Sequence, residues 1–237
     1  MGGGITNVMG VLQGLRPVLH AGLIMHIDEG ILAWPVLAGG AACAAVGVAI
    51  GLKKTDHEQL PRVAVLTSAF FVASFIHVPI PPASAHLLMV GLMGTVLGWA
   101  AFPAILVAVL LQTLLLGFGG LTTLGVNTTV MAAPAVACFY LFNALVRTTG
   151  STTRTFALGF GAGAAGVLIA ALLLACTLRL SGEEFRHIAQ LIVLGHVPVM
   201  IVEGLVTGAV VVLLRQVQPR LLETAAPALA VERADRA

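Results

Sequence analysis

The sequence predicts an all-α membrane protein: a polytopic helix bundle with about seven transmembrane segments, N-terminus outside and C-terminus cytoplasmic. Three observations carry that prediction. Hydrophobic residues make up 59% of the chain and charged residues 9%, and the mean hydropathy of +1.04 is too high for an ordinary soluble domain. The apolar residues fall into long runs separated by charged or Gly/Pro-containing breaks. An odd number of runs puts the termini on opposite sides, and the basic residues choose the orientation. Lys53, Lys54, Arg62, Arg147, Arg154, Arg215, Arg220, Arg233 and Arg236 fall on one face, against Arg16, Arg179 and Arg186 on the other.

Taken in order, residues 1–24 hold Gly2 to Gly4, Arg16, Pro17 and His20 with only a weak apolar patch, which lacks the compact core of a signal peptide. They read as an N-terminal extension, or as sequence upstream of a true start at Met25. Residues 25–220 form the membrane domain, with segments near 31–52, 62–77, 86–98, 99–117, 128–146, 155–178 and 189–214. The second and third are short for about 30 Å of hydrocarbon, so they are expected to tilt or sink between neighbours. The first carries small residues at Gly40/Ala44 and Gly47/Gly51, which admit a close helix neighbour within the chain or on a partner. Residues 221–237 read as a flexible cytoplasmic tail. Cys43, Cys138 and Cys176 lie inside apolar runs without zinc or disulfide spacing and read as buried small residues. The net charge of +2 gives no reason to expect nucleic acid as a partner.

The chemistry concentrates in Met25-His26-Ile27-Asp28-Glu29-Gly30. A histidine directly after a chain-starting residue offers a terminal amine, a deprotonated amide and an imidazole close to one plane, the tetragonal set favoured by Ni(II) and Cu(II). A second imidazole would close the square. His86 is the candidate, at the end of the proline-stiffened loop 78–86; His77, just before that loop, is the rival. The other reading of His26 is an ordinary turn histidine before a helix. On the predicted topology, His26, the 78–86 loop and the Gly-rich 117–127 loop share the outer side. The last of these could bring backbone close to a small ligand. Within the spans, Glu203 must face the bundle interior, as a helix-packing hydrogen bond or in metal passage. His196 lies two turns earlier, and Gln112 and Asn143 read as interhelical glue.

Four segments, in order, resemble the CbiM/NikM family, the substrate-binding membrane components of energy-coupling-factor transporters for cobalt and nickel. They are MHIDEGIL from Met25, HVPIPPASAHLLMVGLMGTVLG from His77, LLQTLLLGFGGLTTLGVNTTVMA from Leu110, and VPVMIVEGLVTGAVVVLLRQVQPRLL from Val197. The resemblance, from Met25 to about Leu222, implies Co(II) or Ni(II) as transported substrate and no organic cofactor. It gives Met25, His26 and His86 as metal ligands, with Glu29 and Asn127 as supporting or loop residues. It implies as partners a transmembrane coupling subunit, ATP-binding cassette ATPases and in some systems a small accessory membrane subunit, in a bacterial or archaeal plasma membrane. Two departures stand in the loops: Pro81-Pro82 where the family often has Gly-Gly, and Phe118 where it often has Asp. No Walker motif occurs, so the chain is expected not to be an enzyme, with ATP hydrolysed by partners. The alternatives are a membrane enzyme built on His86, Glu203 and His196, or a pseudo-receptor that assembles with partners and binds no metal.

Overall fold

The computed structural model describes residues 26–80, 83–148 and 151–223. Met25, the extension 1–24, the Pro81-Pro82 pair and the tail from 224 lie outside the described residues. In chain order the elements are α1 (Trp34–Lys53), α2 (Leu60–Ala73), β1 (His77–Ile80), β2 (Ala83–His86), α3 (Val90–Leu97), α4 (Ala101–Leu116), α5 (Leu124–Thr148), α6 (Thr152–Ser181), α7 (Arg186–Gly195), α8 (Val197–Val217) and α9 (Arg220–Glu223). Prolines stand in the first turns of α1, α2 and α8, where an N–H has no intrahelical partner to lose. Lys53 and Arg215 occupy last turns, where a cation suits the helix dipole.

The helices run back and forth between two ends of the bundle. A Cβ on Gly40 would lie 2.4 Å from the Val126 side chain, and one on Gly51 would lie 2.6 Å from the Trp99 carbonyl. So α1 leaves the end that holds His26 and arrives beside Trp99. There the chain reverses at Gly98 (φ 55°), between α3, which leaves from His86, and α4, which returns toward Phe118. All eight residues of α3 are buried. Val90, Leu92, Met93 and Val96 join Phe70, Ile105, Met131 and Val136 in the main core. Outward, large apolar side chains such as Val65, Leu114, Leu172, Leu205 and Leu213 stay exposed, as expected where lipid replaces water as solvent.

Two expectations are corrected. Among the described residues the bundle is helical except for one antiparallel hairpin, in which the Cα partners run from His77↔His86 to Ile80↔Ala83. It replaces the irregular 78–86 loop and takes His77 off the end of a helix, which stops at Ala73. Val78 and Ile80 favour extended backbone, and a two-stranded edge tolerates Pro79. Second, only Cys138 of the three cysteines is buried; Cys43 and Cys176 are exposed on apolar helix faces. Among the described residues, five stretches are long and apolar enough to cross a membrane: Trp34–Lys53, Val90–Leu116, Leu124–Phe142, Thr152–Ser181 and Arg186–Val217. The 14-residue α2 measures about 21 Å and the eight-residue α3 about 12 Å, both short of the bilayer core.

Candidate metal site

Three stretches meet at one end of the bundle, where α1, α3 and α5 begin. His26 is 5% exposed and His86 7%, and their ring centroids lie 5.2 Å apart with planes 27° from parallel. Phe118 completes a triangle, 5.8 Å from the His26 ring and 5.9 Å from that of His86, to which it is parallel within 2°. Its position follows from the end of α4. Gly117 (φ 70°) ends that helix with its N–H on the Thr113 carbonyl at 3.2 Å, and the Phe118 N–H donates to the Gln112 carbonyl at 3.3 Å.

The first stretch is held by Asn127, the first-turn residue of α5. The Ile27 N–H donates to Asn127 Oδ1 at 2.9 Å, and Asn127 Nδ2 donates to the Ile27 carbonyl at 3.1 Å and to Thr123 Oγ1 at 3.2 Å. Both main-chain groups of the residue after His26 are thus satisfied by one buried side chain. Gly119 (φ 68°) lets the loop pass: a Cβ there would stand 2.7 Å from Asn127 Nδ2 and 3.5 Å from His26 Cβ. Glu29 reaches the same loop from outside, accepting the Thr122 N–H at 3.3 Å. Burial raises the Asp28 pKa, and the Gly119 N–H opposes the rise.

The two imidazoles differ in their surroundings. Both ring nitrogens of His26 are buried without a hydrogen-bond partner among the described residues. Burial first, and the adjacent His86 second, push its pKa well below the ordinary imidazole range. His26 is therefore neutral at pH 7 and carries a lone pair in an enclosed space. His86 Nδ1–H donates to the Leu87 carbonyl at 3.1 Å, which leaves the lone pair on the buried Nε2.

The remaining candidates sit elsewhere. The backbone of His77 pairs with that of His86 in the hairpin, and its side chain is outside the described set, as is that of Asn143. Fully buried Gln112 finds no partner for either amide atom among the described residues, so its expected role as glue has no bond to show. His196, at the α7–α8 junction, donates from Nδ1 to the Ile192 carbonyl at 2.6 Å. Glu203 Oε1 accepts the N–H groups of Leu88 and Met89, at 2.7 Å for Met89. His86 and Glu203 both engage the backbone of the Leu87–Met89 link while His196 engages that of Ile192, and no group of three or more His, Cys, Asp or Glu gathers among the described residues. A membrane enzyme built on those three has no assembled centre. Sequence reasoning treated Phe118 as a departure only; its place between glycines in a loop of small residues was the signal that it projects over the site.

An apolar multi-pass bundle with paired, buried imidazoles at one end has the build of a membrane transport protein for a transition-metal ion. The comparisons agree. The family described as "Cobalt uptake substrate-specific transmembrane region" matches residues 26–221, and the chain belongs to this CbiM family. It is 40% identical over 199 residues to a Haemophilus influenzae protein named for metal transport, covering 84% of this chain and 97% of that one. It is 31% identical over 215 residues to the cobalt transport protein CbiM of Sorangium cellulosum, covering 84% and 95%. A crystal structure of a transition metal transporter superposes with a TM-score of 0.65 at 27% identity, covering 81% of this chain and 93% of that one.

Proposed function

We propose that this chain captures Co(II) or Ni(II) outside the cell and passes it inward as the substrate-binding membrane subunit of an energy-coupling-factor importer. A transmembrane coupling subunit and ATP-binding cassette ATPases supply the energy, with a small accessory membrane subunit in some assemblies. The observation that carries the reading is the pair of enclosed imidazoles, one of which has both ring nitrogens without a hydrogen-bond partner among the described residues. With metal–nitrogen bonds of about 2.0 Å, adjacent imidazoles on a square plane have ring centres roughly 4.5 Å apart and opposite ones roughly 6.3 Å. The observed 5.2 Å is nearer the adjacent arrangement. The chelate of Met25 amine, His26 amide and His26 imidazole fills three corners, and His86 Nε2 fills the fourth. Two of the four donors are main-chain or terminal nitrogens, which accounts for a site without a third metal-binding side chain. Asn127 holds the Ile27 peptide, and Glu29 ties the first stretch to the 119–122 loop.

In this reading the chain crosses the bilayer seven times, with α3 as a short buried crossing and the His26 end outside. The amine exists only in a chain that begins at Met25. Ni(II) titration of protein beginning at Met25 and of protein retaining residues 1–24 tests the site. The first is expected to bind one ion in a tetragonal site, with affinity falling steeply as pH drops because binding displaces protons from amine and amide. The longer form is expected to bind much more weakly, or through His20. Equal affinity in the two forms, unchanged by His20→Ala, rules out the amine as ligand; no binding by either form leaves the pseudo-receptor.

A further inference from the structure

Glu203 is a carboxylate in the second turn of α8 with no exposed surface, in a bundle whose solvent is lipid. Such a group persists only where hydrogen bonds replace its hydration. Here the donors are the N–H groups of Leu88 and Met89, which Oε1 accepts together. These amides belong to the link between β2 and α3, two and three residues past His86.

The rest of that link is pinned as well. The Leu87 N–H donates to the Ile76 carbonyl at 3.0 Å, and His86 Nδ1–H donates to the Leu87 carbonyl. Met89, with φ 52°, is the one non-glycine among the described residues with left-handed backbone, a conformation an L-residue keeps only when its surroundings impose it. The carboxylate imposes it from a helix 114 residues away. That helix is itself fixed. A Cβ on Gly163 of α6 would stand 2.5 Å from the Glu203 carbonyl, so α6 and α8 meet backbone to backbone at this level. A continuous line of contacts therefore runs from α6 through Glu203 to the residues that aim His86.

We propose that Glu203 is a positioning residue for the metal site: through the Leu88 and Met89 amides it holds the His86 imidazole against His26. The inference rests on the proposed roles of those two histidines. It ties α8 to the site mechanically, so a displacement of α8 relative to α3 moves His86. Gln at 203 keeps an oxygen for the same two amides, whereas Ala leaves both without an acceptor and Asp holds its oxygens one methylene too far back.

The test uses the full membrane domain in detergent, Ni(II) titration, and Cu(II) as a spectroscopic substitute. Glu203→Ala is expected to weaken Ni(II) binding by about tenfold or more, the usual scale for losing a group that orients a ligand, and to alter the Cu(II) nitrogen hyperfine pattern toward that of His86→Ala. Glu203→Gln should retain affinity and spectrum. Thr207→Val, which removes a buried hydroxyl one turn further along α8, should leave both unchanged. If Glu203→Ala does not fold, Glu203→Asp reads out the same loss in part. A Glu203→Ala or Glu203→Asp protein with the parent's affinity and Cu(II) spectrum overturns the proposal. If the parent itself binds no Ni(II), the metal-site reading fails first. Amide exchange in the metal-free protein still decides the latch: faster exchange at Leu88 and Met89 in Glu203→Ala than in Thr207→Val supports it, and equal exchange overturns it.

Discussion

At the scale of single residues, the site separates side chains that bind from side chains that hold. In the proposed site His26 and His86 belong to the first kind, and replacing either by Ala is expected to abolish stoichiometric Ni(II) binding while His77→Ala leaves it intact; calorimetry that finds normal affinity for the His86 variant refutes the assignment. The His26 pKa also predicts a pH effect without metal. Its folded value lies below the ordinary 6.5, so below that pH the unfolded chain binds more protons than the folded one. The stabilising contribution of neutral His26 is full above 6.5 and is lost as pH falls from there toward the folded value. The melting temperature of metal-free protein should therefore rise from about pH 5 to about pH 7, and the rise should flatten in His26→Gln. Asn127 is of the second kind. Asn127→Leu strands the buried Ile27 N–H and carbonyl, at about 1–3 kcal/mol for each unpaired group, which a denaturant titration would register. His26 and His86 stood out as candidate ligands because imidazoles announce metal chemistry, and Asn127 stood out only through the family resemblance. Glu203 was legible as a buried carboxylate, but not its partners: Leu88 and Met89 offer backbone, and backbone donors leave no mark in a side-chain pattern.

At the scale of elements, hydropathy located the apolar runs and misjudged their breaks. Residues 86–117 read as two segments, and the structure has two helices there, but the first has eight residues because the hairpin and the link at Leu87–Met89 consume what looked like span. The predicted 189–214 run is likewise divided at His196 into α7 and α8, beside Gly195 and Pro198, whose effect on a helix hydropathy does not register. Apolar composition marks what lies in lipid or core without marking where the chain turns. Glycine marks it better when its surroundings are known. A Cβ on Gly94 of α3 would stand 2.1 Å from the Ala135 carbonyl of α5, while one on Gly39 of α1 would meet nothing within 4 Å. Gly94→Ala should thus push α3 off α5 and cost about 1–3 kcal/mol, as overpacking does in cores. Gly39→Ala should be neutral or stabilising, since Ala is the better helix former. Thermal unfolding of the two variants side by side checks the contrast; equal losses would mean that α3 is not seated as described.

At the scale of the whole molecule, the question is which end of the bundle faces outward. The metal-site end holds His26, the end of β2 and the 117–127 loop, together with the start of α1, whose Ala33 N–H donates to Ser181 Oγ at the end of α6. The opposite end gathers Lys53, Lys54, Trp99 and Tyr140; Lys54 Nζ lies 5.3 Å from the Trp99 ring centre, and Trp99 Nε1–H donates to the Tyr140 hydroxyl at 2.9 Å. Arg215 and Thr155, hydrogen-bonded to each other, belong to that end as well. Lysine and arginine are what the cytoplasmic face of a membrane protein collects, so the basic end is expected to face the cytoplasm and the metal-site end outward. The test needs a background free of native thiols, because Cys43 and Cys176 are exposed on helix faces and would report on lipid access instead of water. With Cys43, Cys138 and Cys176 changed to Ala, a cysteine at Thr122 is expected to react with a membrane-impermeant maleimide added to intact cells, and one at Ser151 only after the cells are opened. Labelling in the reverse order would place the paired imidazoles on the cytoplasmic side, where the chain could release a metal ion but could not capture one from outside.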